Sequence, residues 1–350
     1  MRDPIFQERR NRQILADVVR TYIETGEPVS SRSISKRYSE QLSPATIRNV
    51  MMELVEGGYL FQPHTSAGRV PTTTAYRVFA QMVAVDARLS GEDEKWIRSE
   101  LGAAHTSEEL VERAGHVLAI ISQALGIVVA PPIGKTVVEH LRFLLLPDGR
   151  VLVSLISSRG ATRDKIVQLE RRFTQEDLDR TAEHVNRQYS GRTLEAIRED
   201  MLARLARERE RYDSMVSAAL ALCDPRLLDE TPSRHVYVEG TAQMAGTPEF
   251  SNQAQLQELL TAIEEKHKLI ALLNHCIDSP DPVHVKIGIE EMTSAGGNLA
   301  LISAAYSVKN QAQGSLGVLG PARMQYERAI TAVAYVARLL SDSMSRGSSS

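Results

Sequence analysis

The sequence predicts an α+β chain with a small helical head at residues 1–75, and three observations carry that expectation. Three amphipathic stretches and a hairpin crowd into residues 1–75, strand-like and helical segments alternate from about residue 125, and a long amphipathic run, Thr174–Leu228, interrupts the alternation. The 350 residues are 43% apolar and 24% charged, the balance of an ordinary folded chain with material for two or three domains. Cys223 and Cys276 lie outside any CxxC or His/Cys cluster, so neither a disulfide scaffold nor a zinc site is expected. No apolar stretch is long enough to span a bilayer, and the N-terminal MRDPIFQERRNRQ lacks the apolar core of a secretory signal. The expected location is the cytoplasm, with no membrane partner.

The net charge of −3 conceals an asymmetry. Residues 1–90 hold twelve of the 41 basic side chains and nine of the 44 acidic ones, so a head of +3 is joined to a body of −6. A basic module on an acidic body hints at nucleic acid, and the motifs must decide.

Ile14, Leu15, Val18, Val19, Tyr22 and Ile23 recur at helical spacing and Gly26 follows as a stop, which predicts a first helix of roughly four turns. Pro28 breaks the chain before a short second helix from about Ser31 to Ser39, with Ile34 and Tyr38 inward. Ser43 then caps a third helix with Pro44 in its first position, where no N–H is needed. Ile47, Val50, Met51 and Leu54 mark its inner face, and Gly57-Gly58 ends it. Burying that stripe turns Ala45, Thr46, Arg48, Asn49 and Met52 outward, early in the helix, where a recognition helix touches base edges. Arg48 suits a guanine edge and Asn49 an adenine edge. Ser43, Ser31 and Ser33 are placed to meet phosphate oxygens, beside Arg32. Tyr59-Leu60-Phe61 and Arg69-Val70-Pro71 flank a polar loop and predict a hairpin, the wing of a winged helix-turn-helix, with His64 and Arg69 set to reach DNA. The same trihelical unit also serves as a protein-interaction module.

In the body, Thr74–Leu89 and Ser107–Leu125 read as helices, and Gly126–Pro132 as extended chain. Leu141–Leu146 and Val151–Ile156 read as a hairpin around Pro147-Asp-Gly-Arg150, with a third strand at Lys165–Leu169. Further strands are expected at His235–Glu239, Val283–Ile289 and Leu299–Tyr306, with Phe250–His267 helical. Within the run from Thr174, the positions Leu194, Ile197, Met201, Leu205, Tyr212 and Met215 suggest a long helix. They suit either a solvated helix packed on its own domain or a dimerisation arm. Pro321 is expected to open a closing helix whose seam, Ala322, Tyr326, Ala329, Val333, Val336 and Leu340, suits core or a second dimer contact.

No metal-spaced cluster, P-loop, HExxH or GxSxG elbow occurs, so no catalytic residue, cofactor or metal is expected. Gly314, Gly317 and Gly320 form a GxxGxxG, better explained by a closely packed strand than by a nucleotide. His267 and His275 are ordinary helix or loop residues.

Three stretches then carry a resemblance: Tyr22-Ile-Glu-Thr-Gly-Glu-Pro-Val-Ser-Ser-Arg32, Leu42-Ser-Pro-Ala-Thr-Ile-Arg-Asn-Val-Met51 and Gly58-Tyr-Leu-Phe-Gln-Pro-His-Thr-Ser-Ala-Gly-Arg-Val-Pro-Thr72. With Gly317-Val-Leu-Gly-Pro-Ala-Arg-Met-Gln-Tyr326 near the other end, they make the chain similar to the heat-inducible transcription repressor family (HrcA). Ala75 and Glu291 stand where that family usually carries glycine and asparagine. The resemblance implies a GAF-like α+β domain interrupted by an inserted, mainly helical dimerisation domain. The expected division is a DNA-binding head at 1–75, a linker helix at 76–106, the GAF-like domain at 107–173 and 232–341, the insertion at 174–231, and a disordered tail at 342–350. It also implies a homodimer on double-stranded DNA at an inverted-repeat operator before chaperonin and chaperone operons. The chaperonin then maintains activity, which heat removes. A repressor answering to a small ligand held in the body remains the alternative.

Overall fold

The computed structural model describes residues 9–38, 42–65, 67–86, 88–130, 137–157, 162–169, 173–207, 219–220, 222–223, 236–245, 253–274, 281–290, 296–308 and 311–346. The head begins with α1 (Arg9–Thr25), which buries Ile14, Leu15, Val18 and Val19 on the face that a 3.6-residue period sets inward. After α2 (Ser31–Arg37), α3 (Pro44–Glu56) opens as expected, with the Ser43 hydroxyl accepting the Thr46 amide. The strands β1 (Leu60–Phe61) and β2 (Val70–Pro71) pair antiparallel and complete the head.

The expected linker helix is two helices. α4 (Thr73–Asp86) ends before Ser90, whose hydroxyl accepts the Asp93 amide and starts α5 (Gly91–Gly102). Glu92, Asp93 and Glu94 in the first turn of α5 complement its dipole, a fresh N-terminus that apolar periodicity does not reveal. Nor is α4 a spacer. It buries Ala75, Tyr76, Phe79 and Ala80, and Arg77 donates to the Ile287 carbonyl at 2.7 Å.

The body follows with α6 (Ser107–Ser122) and β3 (Leu125–Val129). A second group of strands, β4 (Val138–Leu145), β5 (Val151–Ser157) and β6 (Thr162–Val167), precedes α7 (Gln175–Tyr189) and α8 (Leu194–Arg207). Then come β7 (Val236–Glu239), α9 (Thr241–Ala245), α10 (Gln253–Glu264), α11 (Lys266–Asn274), β8 (His284–Ile287), β9 (Leu299–Val308), β10 (Gln311–Pro321) and α12 (Tyr326–Arg346).

Five strands form one antiparallel sheet in the order β7-β3-β10-β9-β8. Alternate residues supply two cores. Val128, Leu316, Val318, Ile302, Ala304 and Tyr306 join α6, α12 and the head in one cluster, whereas Leu125, Ile127, Val129, Leu301 and Leu319 meet Leu259, Ile263, Leu269 and Leu273 of α10 and α11. Because helices cover both faces, all five residues of β3 are buried, which is why the stretch reads as a continuous apolar run. The first cluster runs unbroken from Ile14 to Met344, so head and body share a core.

The expected closely packed strand at Gly314, Gly317 and Gly320 is β10, although glycine ordinarily weakens a strand. Here the glycines leave room. A Cβ on Gly317 would lie 2.5 Å from the Ile302 carbonyl oxygen, and one on Gly314 would meet the Tyr306 ring at 2.2 Å. Pro321 does not open the closing helix. It is the last residue of β10, paired with Leu299, and the helix starts at Tyr326. The seam of α12 is buried against α6, β9 and α4, so it is core. Residues 342–346 of the expected tail remain helical, with Met344 buried.

The expected division at 173/174 falls inside a packed unit. β4, β5 and β6 form a separate antiparallel sheet, and their inward Leu141, Phe143, Val153, Leu155 and Val167 are covered by Leu178, Val185, Tyr189, Leu194 and Ile197. Side-chain amides of α7 close the open edge of β4. Asn186 accepts from the Leu141 amide at 2.7 Å and donates to its carbonyl at 2.9 Å, while Gln175 bridges the Leu145 amide and the Phe143 carbonyl. Leu194, Ile197 and Met201 lie within this core, so they cannot also face a second copy. Leu205 falls in α8 by its backbone, and Tyr212 lies outside the described residues. No helix is long and apolar enough to cross a membrane, and no group of three or more metal-ligating side chains occurs among the described residues.

Candidate nucleic-acid interface

α3 is held by one face and free on the other. Ile47, Val50, Met51 and Leu54 are at most 2% exposed, whereas Ala45, Arg48, Asn49 and Met52 face solvent. The first-turn amides are partly satisfied by Ser43, whose hydroxyl is also 3.0 Å from that of Thr46, itself half-buried. Arg48 and Asn49 therefore project from the N-terminal half of a rigidly seated helix, each with a planar donor group.

The residue capping α2 is Ser30. Its hydroxyl accepts the Ser33 amide at 3.1 Å, and the Ser33 hydroxyl donates back to the Ser30 carbonyl at 2.7 Å. Ser31 is half-buried, while Arg32 and Ser33 are exposed. The Ser33 hydroxyl accepts from the Ser30 hydroxyl at 3.3 Å, and its own proton is committed to the Ser30 carbonyl.

The turn between α2 and α3 is fastened at two points that periodicity does not show. Ser35 donates to the Leu42 carbonyl at 2.9 Å, and the Tyr38 hydroxyl donates to Oδ2 of Asp17 at 2.6 Å. Asp17 is 8% exposed and lies between Ile14 and Val18 on the buried face of α1. Burial first, then the adjacent carboxylate, pushes the Tyr38 pKa well up, so the hydroxyl stays a donor. The signal available in the sequence was a lone carboxylate inside an apolar stripe.

The hairpin is tied to the start of α2. Val29 and Arg69 exchange two backbone hydrogen bonds at 2.8–2.9 Å, and a Cβ on Gly68 would lie 2.5 Å from the Pro28 carbonyl oxygen. Gln62 donates to the carbonyls of Thr65 and Ala67, which shapes the loop and leaves His64 exposed at its tip. Arg69 is half-buried, its Nη1 donating to the Ala67 carbonyl at 3.3 Å, so it sits at the base of the hairpin. Gly68 was the readable sign of this close approach. Among the sequence-predicted site residues, Arg32, Ser33, Ser43, Arg48, Asn49 and His64 are exposed, and Ser31, Thr46 and Arg69 are half-buried.

Two arginines fasten the head to the body. Arg20 reaches Glu327 of α12 at 2.7 Å, and Arg323 donates to the Ile23 carbonyl at 3.2 Å near the end of α1. Tyr326 meets Phe79 edge-on at 6.2 Å and Tyr76 at 6.1 Å. The C-terminal motif that resembled a family signature thus holds the head in place.

A family model described as the HrcA protein C terminal domain matches residues 108–330. The chain is 34% identical to the heat-inducible transcription repressor HrcA of Geobacter sulfurreducens over 333 residues, covering 95% of this chain and 96% of that one. It is 32% identical to the protein of the same name from Thermodesulfovibrio yellowstonii, covering 99% and 100% of the two chains. A crystal structure described only as that of a hypothetical protein has a similar fold, with a TM-score of 0.63 at 20% identity over 97% of this chain and 99% of that one. By these matches, the chain belongs to the HrcA family of heat-inducible transcription repressors, a family of regulators and not of enzymes.

Proposed function

We propose that this repressor acts as a homodimer, setting two winged helix-turn-helix heads on an inverted-repeat operator before chaperonin and chaperone operons. The observation that carries this reading is the solvent-facing pair Arg48 and Asn49 on a helix whose opposite face is locked into the shared core. α3 enters the major groove, Arg48 pairs with a guanine edge and Asn49 with an adenine edge, and the exposed Arg32 and Ser43 meet phosphates. His64 reaches DNA from the hairpin tip. Repression follows from occupying the promoter in the cytoplasm.

The dimer contact belongs to the outer face of the β4-β5-β6 sheet. There Leu144, Leu152 and Ile166 stand in register across the three strands, with Leu144 52% and Ile166 46% exposed. A row of that kind on an antiparallel sheet is a self-complementary surface for a two-fold axis. The five-stranded domain is the GAF-like body, and the chaperonin keeps the repressor competent. Because head and body share one core, loosening of the body displaces the head, which is how heat would release the operon.

The test is binding of full-length protein to an inverted repeat selected from random duplexes. Arg48→Ala and Asn49→Ala should each lower the preference for that repeat over random DNA by roughly 1–3 kcal/mol. Equal preference in both variants and the parent would refute the assignment of α3. Leu152→Glu should yield monomers by sedimentation; a persistent dimer would move the contact elsewhere.

A further inference from the structure

The solvent-facing stripe of α3 is only half polar. Ala45, Arg48, Asn49 and Met52 fall at i, i+3, i+4 and i+7 of one face, and the last is 48% exposed while its neighbour Met51 is 2% exposed. Met52 follows Asn49 by three residues and Arg48 by four, so its side chain lies on their side of the helix. Counting from Pro44, it stands about 12 Å along the axis at 1.5 Å per residue, still within reach of a groove of about that width. Hydrogen bonding cannot explain a long thioether there. The major groove offers such a side chain one apolar feature, the C5-methyl group of thymine.

Resting on the assignment of α3 as the recognition helix, we infer that Met52 is a specificity-determining residue that reads a thymine methyl group beside the base pair contacted by Asn49. Ala45 offers a second, smaller apolar surface at the start of the same stripe. Arg48 and Asn49 select by hydrogen bonds, and Met52 selects by burying a methyl group that cytosine lacks. The sulfur side chain is unbranched and adapts to the groove floor at little steric cost. Specificity at that base pair is therefore apolar, and it is insensitive to salt in a way that phosphate contacts are not.

The experiment uses the full-length protein and duplexes that it selects from a random pool, with each thymine of a half-site replaced in turn by deoxyuridine, which removes only the methyl group. The parent should lose roughly fourfold in affinity per half-site at one thymine, the effect of exposing a single buried methyl. Met52→Ala should bind thymine and deoxyuridine duplexes alike at that position while keeping the base preferences that Arg48→Ala and Asn49→Ala disturb. Met52→Leu should restore discrimination. Equal binding of both duplexes by the parent at every position overturns the inference, and so does Met52→Ala that keeps the discrimination. If Met52→Ala instead weakens self-association and leaves the thymine-to-deoxyuridine ratio unchanged, the side chain serves a protein contact and the inference falls. Should Arg48→Ala and Asn49→Ala shift base preference while every deoxyuridine is silent, the recognition helix stands and Met52 alone is misassigned. Selection that returns no preferred sequence overturns both.

Discussion

Removing the hydroxyl of Tyr38 tests whether the turn before α3 is held by one buried hydrogen bond. In Tyr38→Phe the ring volume is retained and only the contact to Asp17 Oδ2 at 2.6 Å is lost. Among the described residues, the Asp17 carboxylate, 8% exposed, then keeps Arg20 at 3.4 Å as its side-chain partner, a long contact. A hydrogen bond to a charged group contributes about 1.5–3 kcal/mol, and leaving the carboxylate short of a donor puts the loss toward the upper end. Because the head shares its core with the sheet, the loss should appear in one cooperative transition, lowering the melting temperature by roughly 3–12 °C for a unit of this size. The pH dependence adds a second readout. The Tyr38 pKa is raised in the folded state, so its stabilisation is complete below the ordinary tyrosine value of about 10 and is lost as pH rises beyond it. Tyr38→Phe should lose that alkaline component. Thermal melts at neutral and alkaline pH measure both effects. A variant that melts with the parent, with the same alkaline decline, would refute the reasoning.

Gly317→Ala puts a methyl group 2.5 Å from the Ile302 carbonyl oxygen, where backbone must shift, and should destabilise by about 1–3 kcal/mol in denaturant titration. Asp93 is held below the usual carboxylate range, first by the hydrogen bond from Arg328. Its contribution is present above a pH of about 4 and is lost as pH falls further, so Asp93→Asn should flatten the acid limb of the stability profile. Burial alone pushes the Cys223 thiol up to about 12, so in a Cys276→Ser background a thiol reagent should label it only as fast as the β4–α8 unit opens. Labelling at the rate of a free thiol in native buffer would contradict the packing described.

Local chemistry was legible wherever a short signal sufficed. The Ser43-Pro44 cap, the stripe from Ile47 to Leu54 and the turn at Pro147-Asp-Gly-Arg150 each depend on neighbours in the chain, and each was read correctly. The outward position of Arg48 and Asn49 followed from the same stripe. Boundaries were less secure where a polar cap interrupts a pattern, as at Ser90, or where a proline suited to a helix start instead ends a strand, as at Pro321.

Sequence alone determined the family, the three head helices with their hairpin, and the face of α3 turned to solvent, because these rest on motifs and on a periodicity of 3.6 residues. Tertiary structure decided which surfaces cover one another. Alternation along β4 and β5 announces an inner face but cannot say whether α6 or α7 will bury it, and the stripe Leu194–Ile197–Met201 looks the same whether it meets its own sheet or a second copy. Likewise Asp17 and Tyr38, or Arg20 and Glu327, become partners only when distant segments pack. Apolar burial is non-directional, so a sequence states how much surface must leave water and on which side, while the fold chooses the partner.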